Sequence, residues 1–556
     1  MGGSYRVKLN RVGRDEAGRR YVDLSIRDNG GRESQGVVSL TEIARDPGAV
    51  IRAAAGAGII AVTPKRQRKL LHKIEAALDA ADETDRVDFV VASKTGWHDR
   101  CFVTPQQLYG IGRSKIEPAL TKVKRPNRWS TRGHLNGWRG LAAKAGKGNP
   151  LVIFAICAAF APPLLALMRM EGAGIMLVGP TSRGKSTLSW LASSVWGGDP
   201  AFKTGFMDSW KATVGSLEEA AAQARDCLLV LDDTQQLAGG RGSRADTLAE
   251  AIFTLTSGVQ KSRLTNDGQQ LDWRLFFWAT ANFSARKTLA DGGREYDDSI
   301  AARLIEVEAN RRFGVFDRIP DGMDPAAFSK WIVEQSNFHY GHAIDLYLRR
   351  LGMKRYLDDA DIIAWIRQRM GSLRSRLSID GMVGLEDRVA DIFGLIYAAG
   401  RLAQRFGIVS WSAEEMRDAI IEVYRSHRNF VAEDVVRSDP LAHVQNTIRR
   451  HSDSFIDLDV EAEIANLENA PGLVRRSKRN GPEFVFLPKQ FHATFAGEFS
   501  VDTLLASLKR ANLLICDTGT AKSSRKNQTK RHVGGRRERV YCIAGSVLEH
   551  GRRLLN

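Results

Sequence analysis

The sequence predicts an α/β protein built on a parallel sheet with helices on both faces, preceded by a smaller α/β module and followed by a helical and then a mixed segment. Two observations predict the sheet. Between residues 148 and about 318, short apolar runs rich in β-formers alternate with helix-like stretches, the pattern of strands buried on both sides. One run, Ile175 to Val178, passes directly into Gly179-Pro180-Thr181-Ser182-Arg183-Gly184-Lys185-Ser186-Thr187, a phosphate-binding loop that opens a helix. A third observation sets the scale: 556 residues exceed what one core covers, so three or four domains are expected.

The first module spans 1–147. Tyr21-Val22-Asp23-Leu24-Ser25-Ile26 alternates and then meets Asp28-Asn29-Gly30-Gly31, which reads as a β-hairpin. Leu40 to Ala55 and Pro64 to Ala81 carry helical spacing, while Phe89 to Val91 and Cys101 to Val103 look like short strands. The sheet domain spans 148–318. Its opening run, Leu151 to Met168, is apolar and of membrane-spanning length, but Pro162-Pro163 breaks it, so a buried helix followed by a bend is the better reading. A helical lid is expected over 319–438, where Leu385, Val389, Ile392, Phe393, Ile396, Ala399, Leu402 and Phe406 recur at intervals of three and four. A basic, winged-helix-like segment is expected over 439–556.

Composition narrows the partners. Lysine and arginine total 81 against 64 acidic residues, a net charge of +17 and a pI near 9.7, which points to a polyanion and first of all to nucleic acid. The five cysteines, Cys101, Cys157, Cys227, Cys516 and Cys542, form no pair at metal-ligand spacing, and no apolar leader opens the chain. A reduced, zinc-free, cytoplasmic protein without a membrane anchor is the expectation.

The loop defines the chemistry. Its glycines let backbone N–H groups turn towards phosphate, Lys185 brings a positive charge to the β and γ phosphates, and Ser186 offers a hydroxyl to Mg²⁺ at a helix N-terminus that favours anions. ATP and Mg²⁺ are therefore the expected ligands. Cys227 to Leu231 reads as a strand ending in Asp232-Asp233, with Asp232 assigned to the metal and Asp233 to general base. Leu275 to Thr280 reads as a third strand ending in Ala281-Asn282. Asn282 is the first candidate to orient water against the γ-phosphate, and Thr280 the second.

Gly96-Trp97-His98, Phe102-Val103, Ser194-Val195-Trp196-Gly197-Gly198, Trp210-Lys211-Ala212-Thr213, Leu217-Glu218 and the loop motifs together resemble the DUF927 family. That family groups with the AAA+ ATPases and is similar to the hexameric minichromosome maintenance-like helicases of mobile elements. The resemblance covers roughly residues 5 to 320. It implies a P-loop AAA+ core, a ring expected as a homo-hexamer, and a motor acting on single-stranded or forked DNA. The turn Asn266-Asp267-Gly268 between Leu264 and Leu271 fits a hairpin that in those helicases grips DNA in the pore, which makes Lys261 and Arg263 candidate phosphate contacts. Arg303 stands where those families carry an arginine finger, although a charge solvating a helix end fits as well. Arg388 is a weaker sensor candidate.

Two departures matter. Ala279-Thr280-Ala281-Asn282 replaces the family's Ser-Thr-Gly-Glu, and Asp232-Asp233 replaces Asp-Glu. The shorter second carboxylate stands farther from the water, so hydrolysis is expected to be slower or to need a neighbouring subunit.

Near the end, Val501 to Arg510 reads as a helix and Leu513 to Cys516 as a strand. A basic loop from Thr518 to Arg539 follows, holding Lys522, Arg525, Lys526, Lys530, Arg531, Arg536, Arg537 and Arg539, and leads to a strand at Val540. Helix, strand, basic loop and strand suggest a winged helix on DNA phosphates, with a solvated loop as the competing account. Trp97 is open to base stacking or core packing, with core packing favoured. Alternatives to the motor are a DNA-bound ATPase switch that remodels or loads a replication or defence partner, and a scaffold stabilised by nucleotide.

Overall fold

The computed structural model describes residues 5–15, 18–82, 87–92, 94–111, 115–118, 126–198, 206–210, 213–237, 241–260, 271–377, 384–437, 439–459, 467, 469–477, 481–495, 499–516 and 527–549. They fall into two compact units. The first comprises Met1–Gln236, Ala251–Asn282 and Ala302–Arg425, and the second Leu237–Glu250, Phe283–Ala301 and Ser426–Asn556.

The first unit opens with antiparallel strands Tyr5–Asp15, Arg20–Asp28 and Glu33–Ser39, extended in parallel by Phe89–Ala92 and Ile116–Pro118. The Asp28 carboxylate closes the expected turn by accepting from the backbone N–H of Gly30 and Arg32, both at 2.9 Å. The single helix expected over Leu40 to Ala55 is two helices, Leu40–Arg45 and Gly48–Gly56. Pro47 causes the break, because it has no N–H to donate and disfavours helical geometry at Asp46.

The central sheet is wholly parallel. Its strand order is Met207–Ser209, Cys227–Asp232, Leu275–Ala281, Ala173–Val178 and Leu304–Glu308. Every residue of Ala173–Val178 and of Leu275–Ala281 is buried, as a sheet covered on both faces requires. Leu151 to Met168 forms the helices Pro150–Phe160 and Pro162–Met168, bent by 57°. The first is buried from Leu151 through Phe160. Among the described residues no single helix is long and apolar enough to cross a membrane.

Helices Pro325–Phe338, His342–Leu357, Asp359–Leu377 and Leu385–Arg405 follow, and Ala413–Arg437 begins in this unit. They pack on the helices of the sheet region. The Phe393 ring lies 5.4 Å from Phe154, and Tyr347 stacks 4.9 Å from Phe160. The small sheet Gly96–His98, Cys101–Val103 and Leu108–Tyr109 is tied to the start of the acid strand Cys227–Asp232. Asp226 accepts from the Trp97 N–H at 3.0 Å and from Arg274 Nε at 3.0 Å, while Arg225 donates to the Trp97 carbonyl at 3.1 Å. Trp97 is buried, donates its indole N–H to the Pro163 carbonyl at 2.7 Å and meets Phe102 edge-on, so it is a core residue.

In the second unit a sheet runs in the order Ile456–Asp457, Leu473–Ser477, Gly481–Phe486, Arg536–Ala544 and Leu514–Ile515, and Thr529–Val533 pairs with Arg536–Ala544. One face, with Phe484, Phe486 and Ile543, packs on Leu504, Leu505 and Leu508 of the helix Val501–Arg510. Val485, Val533, Val540 and Cys542 build the core of the other face. The structure corrects one expectation here. Lys530, Arg531, Arg536 and Arg537 lie in a β-hairpin and not in a loop, because Gly534 and Gly535 take positive φ of 55° and 77° and close a two-residue turn. Lys522, Arg525 and Lys526 lie outside the described residues.

Candidate active site

Three neighbouring strands bring the predicted residues to one edge of the sheet. Because Cys227–Asp232, Leu275–Ala281 and Ala173–Val178 are parallel and in register, their C-terminal ends deliver Asp232, Asn282 and the phosphate loop side by side. The loop then enters the helix Lys185–Trp196, which supplies the positive end of a helix dipole. Ser182 holds a left-handed φ of 63°, an unusual conformation for a residue with a side chain.

Lys185 folds back across the loop. Its Nζ donates to the carbonyls of Gly179 at 2.5 Å and Pro180 at 2.6 Å, and to Asn282 Oδ1 at 3.1 Å. Burial lowers the pKa of this ammonium, while Asp233 and Asp232 pull it the other way. Ser186 Oγ lies 3.3 Å from Asp232 Oδ1, so a hydroxyl and a carboxylate, both hard oxygen donors, stand together. This donor set fits Mg²⁺.

Thr280 joins the two acids. Its hydroxyl donates to Asp232 Oδ1 at 2.7 Å and accepts from the Asp233 N–H at 2.9 Å. Asp233 has a left-handed φ of 58°, a conformation uncommon for a residue with a side chain. The sequence offered Thr280 as a second water-orienting residue. Its observed bonds make it the brace of the acid pair, a role that depends on the register of two strands 48 residues apart.

Other predicted residues stand elsewhere. Arg303 precedes Leu304–Glu308 at the end of the sheet opposite the loop, where its carbonyl accepts from Gly174 N–H at 2.7 Å and its guanidinium lies 5.5 Å from the Phe253 ring. It does not reach the loop of its own chain. Arg388 pairs with Glu171, just before Ala173–Val178 begins, so it too is away from the loop and is not a sensor within the chain. Lys261 and Arg263 lie outside the described residues. The base of their predicted hairpin is described: Gln260 N–H donates to the Leu271 carbonyl at 2.9 Å, and Val259 bridges Asp272 in antiparallel fashion. In the C-terminal hairpin, Lys530, Arg536 and Arg537 are exposed, whereas Arg531 is bound to Glu483 at 3.3 Å.

The family described as "Domain of unknown function (DUF927)" matches residues 5–271, which agrees with the resemblance carried by the motifs above. No curated protein matches the sequence. Among solved structures, the chain named "SCCmec type IV Cch - active helicase" is similar at 17% identity with a TM-score of 0.58, over 98% of this chain and 95% of that one. The two share a fold. The apo A form of the C-terminal region of NrS-1 aligns over 96% of each chain at 10% identity, with a TM-score of 0.29 that is too low to bear on the fold.

Proposed function

We propose that this chain, whose residues 5–271 match the DUF927 family, is an ATP-driven, ring-forming DNA helicase or translocase of the AAA+ class. One observation carries the reading. Lys185, Ser186, Asp232, Asp233 and Asn282 converge at one end of the parallel sheet while Arg303 stands at the other. The cation opposite the γ-phosphate is then supplied by a neighbouring subunit. The fold shared with a chain named as an active helicase supports DNA translocation as the work of such a site.

The chain's own residues divide the reaction between them. Backbone N–H groups of Gly179 to Ser186 cradle the phosphates, and Lys185 exchanges loop carbonyls for phosphate oxygens. Ser186 and Asp232 would hold Mg²⁺, which supplies charge neutralisation on the phosphates. Asp233 takes a proton from a water oriented by Asn282 as the water oxygen bonds to the γ-phosphorus. The bond from phosphorus to the bridging oxygen breaks, and ADP leaves with that electron pair. Arg303 of a neighbour stabilises the developing charge. Lys261 and Arg263, from the segment that precedes Leu275–Ala281, then move with the subunit along DNA phosphates.

Strand displacement on forked DNA tests this. The wild-type chain should unwind with ATP, and Lys185→Ala should lose about 10²- to 10³-fold in hydrolysis and all unwinding. DNA-stimulated hydrolysis without unwinding would favour a DNA-bound switch over a motor. Lys261→Ala with Arg263→Ala should hydrolyse ATP and fail to unwind; normal unwinding by that pair would remove the hairpin from the mechanism.

A further inference from the structure

The hairpin Thr529–Val533 and Arg536–Ala544 sorts its charges by face. Cross-strand partners project on the same side of a sheet, and the register pairs Lys530 with Arg539 and His532 with Arg537. Those four residues share one face, and no acidic residue of the hairpin lies on it. Thr529, Arg531 and Val533 occupy the other, opposite Val540, Glu538 and Arg536. There Val533 and Val540 are buried, and Arg531 is bound to Glu483. Lys530, His532 and Arg537 are exposed and Arg539 is half-buried.

Like charges directly opposite each other destabilise a strand pair, yet Lys530 faces Arg539 here. A bound polyanion relieves that repulsion. The four groups span about 5 Å across the strands and about 7 Å along them, close enough to engage adjacent phosphates together. Further along Arg536–Ala544, Tyr541 and Ile543 continue the same face and pack with Phe491, Leu504, Leu505 and Leu508. The basic face therefore projects beyond the helical layer, on the side of Val501–Arg510, whose last turn exposes Lys509 and Arg510.

We infer that this face, Lys530, His532, Arg537 and Arg539, docks on the phosphate backbone of duplex DNA. Proteins that hold single strands combine cations with aromatic platforms for unstacked bases. On this face the Tyr541 ring is engaged 4.7 Å from Phe491, and His532 presents the one exposed ring among the described residues of the face, beside three cations, a balance that favours backbone contacts. The inference rests on DNA being the partner under the proposed function, and it requires nothing of ATP. It also removes Arg531 from the DNA contacts, since its guanidinium serves Glu483.

The test is equilibrium binding of the full chain to a random-sequence duplex and to its separated strand across a salt series. Replacing Lys530, Arg537 and Arg539 together by Gln should flatten the duplex log K against log salt slope by about 2.7, because each phosphate no longer neutralised removes roughly 0.9 from it. The single-strand slope should not change. An unchanged duplex slope overturns the inference, and equal flattening on both forms overturns its choice of duplex. Arg531→Gln should keep the wild-type slope; a comparable flattening there would overturn the assignment of faces. Should the triple variant fold poorly, Arg537→Glu alone at its exposed position must still flatten the duplex slope by about 0.9 or more. ATP hydrolysis without DNA is read in parallel. Intact hydrolysis with an unchanged slope sinks only this face, and absent hydrolysis with the expected slope sinks only the motor.

Discussion

At the scale of single residues, the acid pair is held by a hydroxyl. Thr280→Val keeps the volume of the side chain but removes its bonds to the Asp232 carboxylate and the Asp233 N–H. The expected cost is about 1–3 kcal/mol of stability, read as a lower Tm. A fall of about 10²-fold in kcat should accompany it, because displaced catalytic groups lose that much. Thr280→Ser should restore both. Lys185, Ser186 and Asp232 are legible in the sequence because each has a fixed place in a short motif. The brace is not, since which hydroxyl meets Asp232 depends on how distant strands register. Arg531 misleads for a similar reason: its charge suggests DNA, while its partner Glu483 lies 48 residues earlier.

At the scale of elements, the alternation of apolar strands and helices foretells a parallel sheet, and Pro162-Pro163 foretells the bend between the two buried helices. The split at Pro47 follows from the same rule but is masked because the surrounding spacing stays helical. The Gly534-Gly535 turn is hidden by the lysines and arginines around it, which read as a loop, though a glycine pair between two strand-like runs is itself a hairpin signal. One junction between elements carries a prediction. Asp226 is buried and joins the N-terminal small sheet to Cys227–Asp232 and Leu275–Ala281 through Trp97 and Arg274. Asp226→Ala should cost about 3 kcal/mol, the low end for a buried pair because the Arg274 side chain is about a third exposed. Chemical denaturation would register it. Gly96→Ala should act at the same junction, since a Cβ there comes within 2.5 Å of Asp226 Oδ2.

At the scale of the whole molecule, the proposed function joins a candidate nucleotide site to a chain carrying a charge of +17. The phosphate loop and Arg303 lie at opposite ends of the sheet, and the shared site proposed for them requires a second copy. The most direct measurement mixes two inactive variants. Lys185→Ala cannot use its own loop but can lend Arg303; Arg303→Ala keeps the loop but lends nothing. Each alone should hydrolyse ATP at least about 10²-fold more slowly than wild type. Mixed in equal amounts and shown to co-assemble, they should regain a substantial part of the wild-type rate. A mixture that co-assembles and stays inactive would contradict the shared site.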